Sequence, residues 1–293
     1  MRQAFIKLHI SILLAGFTGI FGKIITLNEG LLVWYRMLFA SVIMLAVLFP
    51  LFRRSGSGVK GAVMARMMGV GSLLALHWVF FFGSIKASNV SIGVICFSLT
   101  GLFTAFLEPW LNRRRVFPKE VLFSLIALAG ILFVFHFDTR YRTGILLGIV
   151  SAFLAALFTI TNKKLGTAYP SSVMLFYEMV GGFLCLSLLM PAYLCFFPVE
   201  TILPGGQDLI YLLLFAVFCT VFLYLLQIDV LKVISAFTVN LSYNLEPLYS
   251  ILIAMLFLGE AKELNFAFYV GLGLIFLSVV LQTHAILKTK ASG

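Results

Sequence analysis

Apolar residues in this chain come in long unbroken runs rather than at the period of 2 or 3.6 that marks a half-buried element. Ten runs stand out, at residues 4–26, 31–52, 66–85, 90–111, 119–137, 143–163, 172–196, 208–230, 234–258 and 267–287. A helix needs about 20 mostly apolar residues to cross a hydrocarbon core of roughly 30 Å, and each run meets that length. The third, eighth and ninth have soft edges, because polar residues sit inside them. Barrel strands would instead alternate over segments of about ten residues. The pattern therefore predicts an all-α integral membrane protein with ten transmembrane helices.

The runs repeat. LFTAFLEPWLNRR (102–114) lies over LYSILIAMLFLGE (248–260) without a gap, an offset of 146 that also pairs Lys86 with Lys232 and Ser98 with Asn244. The first halves align at about 141, pairing Lys23 with Lys164 and Pro50 with Pro191. The difference falls in the loop RRSGSGVKG, which is longer than its counterpart. The units predicted are residues 1–138 and 139–293, each with five helices. An odd number of crossings forces the second copy to enter the membrane upside down, the construction of many secondary transporters.

Composition agrees with lipid as the solvent. Hydrophobic residues make up 62% of the 293, charged residues only 11%, and mean hydropathy is +1.10, leaving too little polar surface for a water-soluble globule. The net charge of +10 would suit nucleic acid, but its location points elsewhere. With the N-terminus inside, 15 of the 21 Lys and Arg fall in predicted cytoplasmic segments, notably Arg53-Arg54, Arg113-Arg114-Arg115 and Lys163-Lys164. That is the positive-inside bias, and it predicts a cell membrane location (a bacterial inner membrane) with both termini cytoplasmic. No nucleic-acid partner is expected. The four cysteines lie in or beside predicted spans and suggest neither a disulfide framework nor a zinc site. The first span follows a short charged start without a convincing cleavage site and reads as a retained helix.

Ionisable groups at membrane depth cost roughly 2.5–3.5 kcal/mol on insertion scales, so each one is a candidate site. Glu246 is the deepest, near the middle of the ninth span. Pro247 removes a backbone donor beside it and disfavours helical geometry at Glu246. Asn240 and Asn244, spaced i and i+4, place two amides on one helix face. These three, with Ser98 as the repeat partner of Asn244, form the predicted substrate-binding set; the alternative for Glu246 is a neutral structural acid bonded to a neighbouring helix. His77 and Trp78 join them from the third span, His77 as a proton relay and Trp78 as an aromatic wall, against the alternative of a packed aromatic helix. Arg36 and Glu178 occupy matching contexts, Tyr35-Arg36-Met37 and Tyr177-Glu178-Met179, near opposite faces. With Glu246 and His77 they are candidates for gating or coupling, although snorkelling to the headgroups would explain both. Glu108 and Asp229 read as salt-bridge partners of nearby basic residues. The stripe Gly144, Gly148, Ala152 and Ala156 reads as a packing face, within the chain or against a second subunit, so monomer and homodimer both fit.

Several of these segments carry a family likeness. The run Asn244-Leu245-Glu246-Pro247, the helix end Leu258-Gly259-Glu260, and the passage His77-Trp78-Val79-Phe80-Phe81-Phe82 followed by Ala87-Ser88-Asn89-Val90 resemble the EamA-like proteins of the drug/metabolite transporter superfamily. The resemblance covers essentially the whole chain. It implies ten helices in two five-helix repeats, with the fifth and tenth at the periphery, and substrates ranging over amino acids, sugars, nucleotide derivatives and cationic drugs. One departure stands out: the first repeat has Arg113 and Arg114 where the second has Gly259 and Glu260.

The function expected is a secondary active or facilitative carrier of small metabolites, most simply an amino-acid exporter working by alternating access, with protons as a possible coupling partner. A proton-coupled exporter of multiple drugs or quaternary cations is the alternative. No phosphate-binding loop of the GxxxxGK[ST] type and no HExxH or GxSxG motif occurs, and the four histidines are scattered, so neither ATP drive, intramembrane catalysis, metal nor cofactor is expected. A channel would want a polar stripe or charged ring rather than an isolated polar cluster.

Overall fold

The computed structural model describes residues 2–55, 59–113, 115–135, 141–166 and 169–246, with scattered positions from 249 to 281. Every secondary-structure element among the described residues is a helix. Seven helices are long and apolar enough to cross a membrane: Arg2–Ile24, Glu29–Arg53, Gly61–Ala87, Ile92–Leu111, Arg142–Leu165, Ser171–Phe196 and Gly206–Leu231. An eighth, Pro118–Phe135, occupies the place predicted for the fifth span. The ninth span begins as a short helix at Ala236–Ser242, and most of the tenth lies outside the described residues. Large apolar side chains such as Trp110, Leu188 and Phe196 are exposed on the outside of the bundle, where only lipid would receive them.

Four of the described spans are interrupted. The first divides into α1 (Arg2–Gly16) and α2 (Thr18–Ile24) at Phe17. After the continuous α3 (Glu29–Ser55) and α4 (Gly61–Ala87), the fourth divides into α5 (Val90–Phe97) and α6 (Leu99–Leu111) at Ser98. Then come α7 (Pro118–Phe135), α8 (Arg142–Leu165) and α9 (Ser171–Phe196). The eighth span runs as α10 (Gly206–Ala216), a π-helical segment Val217–Phe222 and α11 (Leu223–Leu231). In the ninth, α12 (Ala236–Ser242) tightens into a 3₁₀ turn at Tyr243–Leu245.

The second repeat is inverted. Lys7, at the start of α1, meets Asp229 at the end of α11, while Thr26 beyond α2 meets Asp208 at the start of α10. Glu29, at the start of α3, meets Tyr193 near the end of α9, and Phe52, near the end of α3, packs on Phe176 near the start of α9. The second span and its repeat partner, the seventh, thus cross in opposite directions, as five helices per unit require. Local chemistry follows the same offset of 146. Asn89 caps α5 by accepting from Ile92 N at 2.8 Å, and Ser235 caps α12 by accepting from Thr238 N at 3.1 Å. The breaks at Ser98 and at Tyr243–Leu245 are likewise repeat-related.

Pro247 explains the second of these breaks. Lacking an N–H, it cannot bond the carbonyl of Tyr243 four residues back. Glu246 N donates to that carbonyl instead, an i→i+3 bond that makes the 3₁₀ turn. The expected departure from helical geometry at Glu246 does not occur: its φ/ψ of −55°/−44° is α-helical, and the irregularity sits one turn earlier.

Glycine brings the helices at the centre of the bundle into backbone contact. A Cβ at Gly71 of α4 would overlap the main-chain carbonyl of Glu178 in α9, and one at Gly181 would overlap the backbone of Met68. The stripe in α8 works the same way: Gly144 abuts Ser88, Gly148 abuts Cys96, and Ala152 and Ala156 are fully buried. It is an internal packing face.

Two outcomes are expected. Gly71→Ala, which forces a methyl group against the Glu178 carbonyl, should destabilise by about 2 kcal/mol and lower the melting temperature in detergent. Arg113 holds φ +51°, a left-handed position just beyond α6 where the aligned residue of the second repeat is Gly259. Arg113→Gly should raise stability by about 1 kcal/mol in the same assay, because glycine lacks the Cβ clash.

Candidate functional site

The interrupted helices converge on a cavity of about 40 Å³ in the bundle interior. Ala15 and Thr18 reach it from either side of the α1/α2 break, Arg36 from α3, and His77, Trp78 and Phe81 from α4. Phe97 closes it from the end of α5; Leu223, Tyr224 and Gln227 come from α11, and Tyr243 and Glu246 from the 3₁₀ region. A cavity of that size holds a few waters and no metabolite.

Trp78 and Tyr224 are related by the repeat offset and touch: Trp78 Nε1 donates to Tyr224 Oη at 3.0 Å, with the rings edge-to-face. The axis relating the repeats therefore passes through one wall of the cavity. His77 stacks on Phe97, and its Nδ1 lies 2.8 Å from Ser151 Oγ and 3.0 Å from the Ser151 carbonyl. α8 thus fixes the imidazole from behind.

Arg36 has the most elaborate surroundings. Its guanidinium carbon lies 3.5 Å from the centroid of Trp78 and 4.1 Å from that of Phe215, so the charged plane is sandwiched between two rings. Nε donates to Thr220 Oγ1 and Nη2 to the Cys219 carbonyl, both at 2.7 Å. Both acceptors lie in the π-helical segment, whose i→i+5 spacing changes which carbonyls the helix itself consumes. Thr220 Oγ1 in turn donates to the Phe215 carbonyl at 3.1 Å. Nη1 is buried without a partner, as is Gln227 Oε1.

The predicted site residues divide. Glu246, His77 and Trp78 line the cavity. Asn240 and Asn244 are buried on the side of the ninth span that faces α6: Asn240 Nδ2 donates to Thr104 Oγ1 at 2.8 Å, and Asn244 lies against Gly101. Ser98 is buried at the α5/α6 break and does not line the cavity. Arg36, placed by sequence toward one membrane face, is a cavity wall. Glu178, its repeat partner, is fully buried between helices and accepts from Asn162 Nδ2 at 2.9 Å. Tyr224 and Gln227 are absent from the predicted set; carrying Trp78 across the repeat would have found Tyr224.

The first and eighth spans are tied to each other at both faces of the bundle. On one face Asp229 accepts from Lys7 Nζ and from Ser171 Oγ, and Lys232 Nζ donates to the Tyr169 carbonyl at 3.0 Å. On the other, Asp208 accepts from Thr26 N and from Thr26 Oγ1, the latter at 2.6 Å, and Tyr193 Oη donates to Glu29 at 2.7 Å. Glu108 does not simply join the basic cluster beside it, since its Oε2 accepts from Phe237 N at 3.1 Å in the first turn of α12. Among the described residues no group of three or more His, Cys, Asp or Glu is placed to hold a metal.

Comparison with curated proteins gives no significant match. Among solved structures, a protein crystal structure superposes with a TM-score of 0.70 over 99% of this chain and 99% of its own, at 18% identity, which establishes a common fold. The model of the EamA-like transporter family matches twice, over residues 4–136 and 142–283. Two matches that together span nearly the whole chain, on a bundle whose halves are inverted copies around a polar cavity, make this multi-pass membrane protein a member of the EamA-like transporter family.

Proposed function

We propose that the protein is a secondary carrier of small metabolites, with amino acids the leading class, working as an exporter by alternating access at the cavity between α4, α11 and the 3₁₀ turn. The observation that carries this reading is the convergence of helix breaks, a buried acid and a buried base on one cavity, in a bundle whose first and eighth spans are tied at both faces. Interrupted helices meeting at a buried polar site are how alternating-access carriers free backbone and side-chain groups for a substrate. The cavity must widen to take any metabolite, and parting the Lys7–Asp229 or the Thr26–Asp208 contacts would open it toward one face at a time.

The face of Lys7 also carries Arg53, Lys163, Lys164 and Lys232, which supports a cytoplasmic assignment for it and for the N-terminus in a bacterial inner membrane. Quaternary-cation export is the weaker reading on one observation: Arg36 lies only 3.5 Å from the centroid of Trp78, on the aromatic ring best suited to such a cation. Proton coupling falls to Glu246 or His77, the cavity groups that can carry a proton.

Uptake of radiolabelled amino acids into proteoliposomes, with and without a pH gradient, tests the reading. Wild type is expected to accumulate label, and Glu246→Gln to lose gradient-driven accumulation while keeping exchange. Absence of flux for every amino acid would sink the substrate assignment, and a Glu246→Gln variant equal to wild type in all modes would remove Glu246 from coupling. Alternating access makes a separate demand. Asp229→Asn should increase modification of Cys219, which lies beside Arg36 inside the bundle, by a small thiol reagent added on the Lys7 face. An unchanged modification rate would mean that this contact is no gate.

A further inference from the structure

Arg36 is a cation buried among apolar side chains about two helical turns into α3, only 1% exposed, and among the described residues it forms no salt bridge. A purely structural arginine would satisfy all of its donors, because each one left over in a low-dielectric interior is costly. This one does not. The π-helical segment takes Nε and Nη2, Trp78 and Phe215 hold the plane, and Nη1 has no partner in a residue that lines the cavity. The effect is a fixed, preoriented donor with a positive charge at the edge of the cavity, the arrangement that recognises a planar oxyanion.

We propose that Arg36 is the anchor for a carboxylate on the transported molecule, presenting Nη1 from between Trp78 and Phe215, while Gln227 and Glu246 in the same cavity receive an N–H donor of that molecule. This rests on the carrier reading above and narrows it to carboxylic acids, with amino acids ahead of simple acids. Charge balance gives that order. Arg36 and Glu246 line one small cavity, so a simple acid bound at Arg36 also faces the Glu246 carboxyl group. An ammonium group on the same molecule meets Glu246 and the unpartnered Gln227 Oε1 instead. Apolar remainder of the molecule has Phe81, Phe97 and Leu223 to pack against. Amines without a carboxylate are excluded for the converse reason: they bring a second cation to Arg36 and leave Nη1 unpaired.

Four molecules that share an isobutyl group separate the contributions: leucine, leucinamide, 3-methylbutylamine and 4-methylpentanoate. Binding is read on the purified full-length protein from the fluorescence of Trp78, with Trp34→Phe and Trp110→Phe removing the other two tryptophans. Leucine should bind best, and 4-methylpentanoate measurably; leucinamide and 3-methylbutylamine should be weaker than leucine by roughly tenfold or more. Arg36→Gln should erase the preference for leucine over leucinamide, and Arg36→Lys should retain part of it. Glu246→Gln should narrow the gap between leucine and 4-methylpentanoate. Should Arg36→Gln fail to fold, the wild-type series and Arg36→Lys still decide.

Equal binding of leucine and leucinamide, or no binding by any of the four, overturns the anchor. So does an Arg36→Gln variant that folds and keeps the wild-type preference. Parallel flux of a radiolabelled sugar and a quaternary ammonium dye keeps the two readings apart. Flux of either without response to the acids removes the anchor and leaves the carrier; absence of any flux removes the carrier reading itself.

Discussion

The burial of one guanidinium is the constraint around which the centre of this bundle is arranged. A cation in the membrane interior must find acceptors and polarisable surfaces, or the helix carrying it will not stay there. Arg36 finds both on the eighth span, and that span pays with regularity: residues 217–222 are π-helical, and Cys219 and Thr220 turn their oxygens to Arg36. Trp78 lies against the guanidinium and donates to Tyr224, which joins the third span to the eighth across the repeat axis. The second, third and eighth spans are thereby locked to one another by a polar cluster whose remaining wall is the cavity. Removing the charge would leave two acceptors and two aromatic faces without their common partner.

Inversion is what allows this cluster to exist. Two helices related by the repeat, the third and the eighth, bring Trp78 and Tyr224 to the same depth from opposite directions. The same operation relates Arg36 to Glu178, yet their surroundings differ: Arg36 lines the cavity, while Glu178 pairs with Asn162 between close-packed helices. The eighth span has a π-helical segment and its partner, α4, is continuous. The repeat therefore supplies the frame, and its departures from symmetry supply the chemistry.

Much of that frame was legible in the sequence, because the physics that sets it is one-dimensional. Run length fixed the described helix boundaries to within a few residues, as for 172–196 against Ser171–Phe196. The offset of 146 paired Lys86 with Lys232 and Ser98 with Asn244, and in the structure the caps at Asn89 and Ser235 and the breaks at Ser98 and Tyr243–Leu245 follow the same offset. The site was less legible. In a helix that is apolar on every side, periodicity carries no information about rotation, so the i, i+4 amides of Asn240 and Asn244 could be placed on one face but not aimed; in the structure they face Thr104 and Gly101. Arg36 was obscure for another reason. Its acceptors lie more than 180 residues away, in a segment that departs from α geometry, which propensity does not encode.

Symmetry also bears on how such a bundle would move. Two identical inverted halves would give states open to either face of equal energy, related by the repeat axis. Here the ties at the two ends are chemically different. One face is held by an ion pair, Lys7 with Asp229, which Ser171 completes; on the other Asp208 accepts from Thr26 and Glu29 from Tyr193, with the Lys86 ammonium close by on the Ile25 carbonyl. Exposed ion pairs weaken in salt and hydrogen bonds to a single carboxylate much less, so the two sets of ties respond differently to their surroundings. A ligand shifts such an equilibrium only by the difference in its affinity for the two states. Arg36 belongs to the first repeat and is held by the eighth span, so the buried positive charge sits on the contact between the two halves.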